Sequence, residues 1–133
     1  MPPNRPVIMI IDDDATIRLL IQDILDDVQY KVMLAEDGAT ALIAMATVVP
    51  DLVTLDLDLP GITGAQVLEL MRQNDQLREV KVVIISSAEI IPPRVQELAQ
   101  AIIRKPFDVD TLVEIIQRLV PPPEPPHSKE ITA

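Results

Sequence analysis

Cysteine is absent from the 133 residues, which removes disulfide bonds, thiolate metal sites and thiol nucleophiles and makes a reducing cytoplasm the natural setting. Tryptophan is absent too, and Tyr30 and Phe107 are the only aromatic residues, so there is no platform on which nucleic-acid bases could stack. Positive charge is scarce: 11 basic residues against 21 acidic ones leave a net charge of −10, which opposes binding to a polyanion. Direct nucleic-acid binding is therefore not expected. No apolar run approaches the ~20 residues needed to cross a bilayer. The first residues, Met1 to Arg5, lead into a strand-like run rather than a signal-peptide helix, so no membrane role is expected. The single histidine, His127, sits in a proline-rich tail and is read as incidental.

What is present is one domain's worth of chain, 48% hydrophobic, enough for one continuous core. Val7 to Ile11 is a short, uninterrupted apolar run rich in β-branched residues, as a strand covered on both faces should be. A helix from about Ala15 to Asp27 follows, with Ile17, Leu20, Ile21, Ile24 and Leu25 at helical spacing. Tyr30 to Leu34 reads as a second strand, and Asp37-Gly38 opens a second helix whose stripe is Ala41, Leu42, Met45 and Ala46. Leu52 to Leu55 is a third strand, and a third helix carries Val67, Leu68 and Met71. Val80 to Ile85 is a fourth strand, and Pro92-Pro93 begin a short helix running as far as Gln100. Ala101 to Arg104 is the last strand. Asp108 caps a final helix with Val109, Leu112, Val113, Ile116 and Leu119 on its apolar face. Residues 121–133 lack periodicity and are dense in proline, so they read as a spacer or disordered tail after a domain at 1–120. Strand–helix alternation five times over predicts an α/β fold of parallel strands joined by right-handed crossovers.

In such a sheet ligands bind where loops meet at the carboxyl ends of the strands. The residues ending the apolar runs are Asp12 and Asp13 after the first, Asp56 after the third, Ser87 after the fourth, with Ser86 as alternative, and Lys105 after the fifth. Crowded carboxylates repel one another unless a cation neutralises them. Magnesium suits them, because it prefers oxygen ligands in octahedral geometry. An aspartate can attack phosphorus to give an acyl phosphate, a lysine can stabilise the transferring phosphoryl oxygens, and a serine hydroxyl can then bond to them. Singly, each residue has a plainer reading as helix-start carboxylate, turn residue, loop serine or solvated cation. Together at one sheet edge they make electrostatic sense with a metal and a phosphate.

These residues give the chain a resemblance to the receiver domains of two-component response regulators, over about residues 6 to 120. The pattern is carried by Ile10-Ile11-Asp12-Asp13-Asp14, by Pro50 to Gly61 around Asp56, by Ser87-Ala88, and by Lys105-Pro106-Phe107, in that order. The resemblance implies a doubly wound, flavodoxin-like five-stranded sheet in the order 2-1-3-4-5, with helices on both faces. It also implies phosphorylation of Asp56 by a histidine kinase or phosphotransfer protein. Magnesium would be held by Asp13, Asp56 and the backbone of Asp58, with Asp12 helping through water, and Lys105 would contact the phosphoryl group. The Lys105–Pro106 bond is commonly cis in relatives. Asp58 and Glu89 would flank the attacking water, so self-dephosphorylation is expected, but not turnover of a substrate. Output would pass to a downstream protein target or an output domain, with homodimerisation left open.

Two departures from the pattern stand out. Relatives usually carry an aromatic switch residue three positions before the lysine, where this chain has Ile102. The segment from Ser87 to Lys105 is short, lacks the usual Gly-Ala turn and carries Pro92-Pro93, which predicts a reduced fourth helix. Two other functions compete. A receiver-like docking module would signal without phosphorylation. A phosphatase of the haloacid-dehalogenase type would use Asp56-Leu57-Asp58 as its nucleophile motif, and loss of phosphate-ester turnover in Asp58→Asn would mark it.

Overall fold

A computed structural model describes residues 5–123 of the chain. His127 and the tail beyond Pro123 lie outside the described residues. The elements alternate: β1 (Val7–Ile11), α1 (Ala15–Asp27), β2 (Lys31–Ala35), α2 (Gly38–Thr47), β3 (Leu52–Leu55), α3 (Gly64–Gln73), β4 (Lys81–Ser86), α4 (Pro93–Leu98), β5 (Ala101–Arg104) and α5 (Val109–Leu119). The five strands form one parallel sheet in the order β2-β1-β3-β4-β5. This is the doubly wound order the resemblance implies.

The continuous apolar runs are explained by burial on both faces. Alternate residues of one strand point to opposite sides, so Met9 and Ile11 join Val53, Leu55, Val82 and Ile84 under α2, α3 and α4. Ile8 and Ile10 join Leu52, Val83 and Ile85 under α1 and α5. Side chains of both sets are almost wholly removed from water, and each contributes on the order of 1.5–3 kcal/mol of transfer free energy. The inner strands β1, β3 and β4 need no polar alternation because neither of their faces meets solvent, whereas the edge strand β2 stays partly exposed.

Some boundaries and faces differ from the sequence reading. β2 starts at Lys31 rather than Tyr30, because the Tyr30 N–H is spent on the carbonyl of Leu25 in the turn that ends α1. That turn places Gln29 at φ 73°, with its N–H on Asp26, in the left-handed geometry that closes many helices. β4 runs from Lys81 to Ser86 because the Val80 N–H instead closes a turn on Leu77. α4 stops at Leu98, since Gln100 pairs in extended form with Val82 through both its N–H (2.8 Å) and its side-chain oxygen (2.7 Å). Leu20, Ala46 and Val109 are exposed, not buried. Each lies at the edge of its stripe, beyond the arc that meets the sheet.

The fourth helix is indeed reduced, to 6 residues without a side-chain cap. Its end is tied down by Arg72 of α3, whose guanidinium donates to the carbonyls of Leu98 (2.8 Å) and Val80 (2.7 Å). At the far end of the sheet, buried Tyr30 donates its hydroxyl to the carbonyl of Val120, fastening the end of α5. Burial pushes the Tyr30 phenol up from 10.0 to about 12. A raised folded pKa gives stability that is complete below pH 10.0 and is lost as pH climbs towards about 12. Tyr30→Phe should cost about 1 kcal/mol near neutral pH, by leaving the Val120 carbonyl without its partner. Denaturant titrations at neutral and at alkaline pH should show the wild type losing more stability between the two than the variant does. An equal loss would contradict this role.

Candidate functional site

The site is assembled by register. β1 and β3 are neighbours with Ile11 opposite Leu55, so the next residue of each strand, Asp12 and Asp56, emerges at the same sheet edge. The Asp56 N–H still donates to the Ile11 carbonyl at 3.0 Å, and the Asp12 N–H to Ala35 at 3.2 Å, so both aspartates leave from ordered backbone. β1 lies between β2 and β3, where the winding of the sheet reverses and a crevice opens. On the other side Arg104 of β5 faces Ser86 of β4, and the Lys105 N–H donates to the Ser86 carbonyl at 3.0 Å. The Lys105 side chain then reaches back across β4. Its Nζ lies 2.7 Å from Asp12 Oδ2 and 3.1 Å from Asp56 Oδ2.

Asp13 completes the group, and one carboxylate oxygen from each of Asp12, Asp13 and Asp56 lies within 4.8 Å of the others. Asp12 and Asp56 are buried, while Asp13 is exposed. The buried pair is fully engaged. Asp12 Oδ1 accepts from the Asp14 N–H at 2.9 Å and Asp56 Oδ1 from the Asp58 N–H at 3.1 Å, so each carboxylate has one oxygen on backbone and one on Lys105. Asp14 caps α1 by accepting from the N–H of Thr16 and Ile17. Arg18, one turn along, donates to the Asp12 carbonyl at 2.7 Å. The loop after β3 turns at Pro60-Gly61, with Gly61 at φ 75° as such a turn requires. It leads into Gly64, whose N–H donates to the Leu57 carbonyl at 3.0 Å.

Burial raises the pKa of the Asp56 carboxyl. The N–H of Asp58 and the ammonium of Lys105 pull the other way without cancelling it, and the charge of Asp12 adds to the rise. Burial pulls Lys105 down, but its hydrogen bonds to Asp12 and Asp56 outweigh this, and its pKa lies above the ordinary lysine value. Three carboxylates against one ammonium leave two negative charges in excess when all are ionised. Such a set of hard oxygen donors with one exposed member fits a hydrated divalent cation.

The remaining candidates stand at the rim. Asp58 is exposed; its backbone N–H bonds to Asp56, and its carboxylate is not among the three that converge. Ser86 is fully buried, and its Oγ accepts from the Ala88 N–H at 3.1 Å. Ser87 is exposed and free of side-chain hydrogen bonds among the described residues, which keeps it as the available hydroxyl. Glu89 is exposed, and Ile102 is half-buried against the core beneath α4. The Lys105–Pro106 peptide is cis. Arg18, Gly64 and Arg104, to which the sequence reading gives no site role, take part in holding these loops.

Comparison with known proteins decides the family: the model of the response regulator receiver domain matches residues 8–117. The chain belongs to this family. The receiver is 34% identical over 113 residues to chemotaxis protein CheY of Bacillus subtilis, covering 84% of this chain and 94% of that one. It is 29% identical over 117 residues to sporulation initiation phosphotransferase F of the same species, covering 86% and 93%. It also matches the DNA-binding regulator RpaA of Synechocystis at 30% identity over 118 residues, but spans only 49% of that protein. In fold it resembles CheY4 of Vibrio cholerae, with a TM-score of 0.82 at 23% identity over 88% of this chain and all of that one (100%). The Asp56-Leu57-Asp58 sequence thus lies inside a receiver, a regulatory domain of two-component systems. Among the described residues no helix is long and apolar enough to cross a membrane.

Proposed function

We propose that this receiver accepts a phosphoryl group on Asp56 from a phosphohistidine of a kinase or phosphotransfer partner in the cytoplasm. The observation that carries the reading is Lys105 Nζ, bonded at once to Asp12 and Asp56 in a three-carboxylate cluster. In the transfer an Asp56 carboxylate oxygen forms the new bond to phosphorus as the phosphorus–nitrogen bond breaks, and the electron pair stays on the imidazole. Asp13, Asp56 and the backbone of Asp58 would hold magnesium, with Asp12 assisting through water. Bound there, the ion supplies charge neutralisation for the phosphoryl oxygens. Lys105 leaves Asp56 Oδ2 for a phosphoryl oxygen, and Ser87 donates its free hydroxyl to another. Asp58 and Glu89, exposed beside Asp56 and Ser87, would limit the lifetime of the acyl phosphate. Residues 1–120 act as the receiver, the proline-rich segment 121–133 serves as its tail or linker, and the signal passes by protein contact to a target or output domain.

Two variants test the division of labour. Asp13→Asn should weaken magnesium binding at least roughly tenfold, because it removes one of the charges the ion neutralises. Lys105→Met should do the opposite, tightening magnesium binding by leaving a more negative site. The same change should slow phosphorylation by acetyl phosphate roughly ten- to hundredfold, since a charge-assisted bond is worth about 1.5–3 kcal/mol. Calorimetric magnesium titration and phosphorylation rates read the two effects separately. A Lys105→Met protein phosphorylated at the wild-type rate would remove Lys105 from the reaction.

A further inference from the structure

Ile102 and Arg104 are two residues apart on β5, so their side chains leave the same face of the sheet. That face is the one covered by α2, α3 and α4, where Ile102 packs. Ile102 has no polar atom to offer the neighbouring loop. Arg104, opposite Ser86 in the β4–β5 register, has one. Its Nη1 donates to the carbonyls of both Ala88 and Glu89, the latter at 3.1 Å. The Ala88 N–H is meanwhile held by buried Ser86 Oγ at 3.1 Å. Ala88 is thus gripped on its N–H by the end of β4 and on its carbonyl by β5, while Ser87 beside it is exposed.

We infer that Arg104 is a positioning residue that couples the Ser87 loop to β5, the task for which Ile102 is chemically unsuited. The inference rests on reading Asp56 as the phosphoacceptor and adds how that site is regulated. On this inference the Ser87 peptide turns towards the carboxylates as its hydroxyl bonds a phosphoryl group on Asp56, and the Ala88 and Glu89 carbonyls leave the contacts they make with Arg104 in the resting loop. The guanidinium therefore favours the unphosphorylated loop. By linkage, phosphorylation must loosen the grip of Arg104 by the same factor by which that grip opposes phosphorylation. The aspartyl phosphate is in this way reported at β5 through a surface cation instead of a buried aromatic ring.

Arg104→Met keeps the aliphatic stem and removes the donors, and Arg104→Lys restores one cation. Amide hydrogen exchange of residues 88–91 in the unphosphorylated protein should rise roughly three- to tenfold in Arg104→Met and by less in Arg104→Lys. Phosphorylation by acetyl phosphate should accelerate by a similar factor. Magnesium affinity should stay at the wild-type value, because Arg104 is exposed and outside the carboxylate cluster, and melting temperature should fall by no more than a few degrees. Phosphorylated wild type should show loop exchange matching the resting Met variant. Unchanged exchange and rate in Arg104→Met would overturn the inference, as would a rate change accompanied by equal losses of magnesium affinity and melting temperature. A wild type that takes up no phosphoryl group would remove the Asp56 reading and the coupling with it. The resting-state exchange would still report whether Arg104 grips the loop.

Discussion

Asp56→Asn should melt at a higher temperature than the wild type while taking up no phosphoryl group. Asp56 is 6% exposed, and burial raises its pKa. A raised folded pKa means that the group favours folding when protonated, and that this contribution is lost as pH rises from the ordinary 3.8 through the folded value. At neutral pH the ionised carboxylate is therefore a cost. A neutral amide of the same shape removes that cost, leaves Lys105 its bond to Asp12, and can still accept from the Asp58 N–H. Relief of a buried, incompletely compensated charge should raise Tm by a few degrees. Magnesium should raise the Tm of the wild type more than that of the variant, because the ion relieves the repulsion that the substitution has already reduced. A variant less stable than the metal-free wild type would show that Asp56 serves the fold rather than opposing it.

Gly64→Ala should damage both the fold and the metal site. A Cβ at position 64 would lie 2.2 Å from the Asp56 carbonyl oxygen, 2.7 Å from Leu57 Cα and 2.9 Å from the Asp56 carbonyl carbon. All three are backbone atoms, so no rotamer relieves the overlap, and α3 must retreat from the residue that carries the acceptor carboxylate. Alanine would otherwise favour the helix by about 1 kcal/mol. Against that, the overlap should leave a net loss of about 2–3 kcal/mol and weaker magnesium binding. Gly38→Ala is the control. Its Cβ would meet side-chain atoms, Val67 Cγ2 at 2.5 Å and Ile62 Cγ1 at 2.8 Å, so it should cost stability without changing magnesium affinity. Wild-type stability and metal binding in Gly64→Ala would contradict the close packing at Asp56.

Much of this arrangement is legible in the amino-acid sequence, for a definite reason. Parallel strands covered on both faces are unbroken apolar runs, so the residue that ends each run marks the functional edge, and Asp12, Asp56 and Lys105 are found there by that rule alone. The rule says less about which neighbour reaches the site. Ser86 and Ser87 both follow the fourth run, and only the three-dimensional arrangement separates them, by burying Ser86 and using its oxygen on the Ala88 N–H. Helical periodicity identifies a stripe but not its width, which is why Leu20, Ala46 and Val109 fall outside the core. The roles of Gly64 and Arg104 are not legible. Arg104 ends the last strand, but its partners at Ala88 and Glu89, like the contact of Gly64 with Asp56, are set by the packing of separate elements, which no local pattern names.

Intact mass after incubation with magnesium and acetyl phosphate bears most directly on the convergence of Asp12, Asp13, Asp56 and Lys105 as a phosphoacceptor site. The wild type should gain the mass of one phosphoryl group only when magnesium is present, and Asp56→Asn should gain none. Equal uptake by Asp56→Asn, or none by a folded wild type with magnesium bound, would contradict the account.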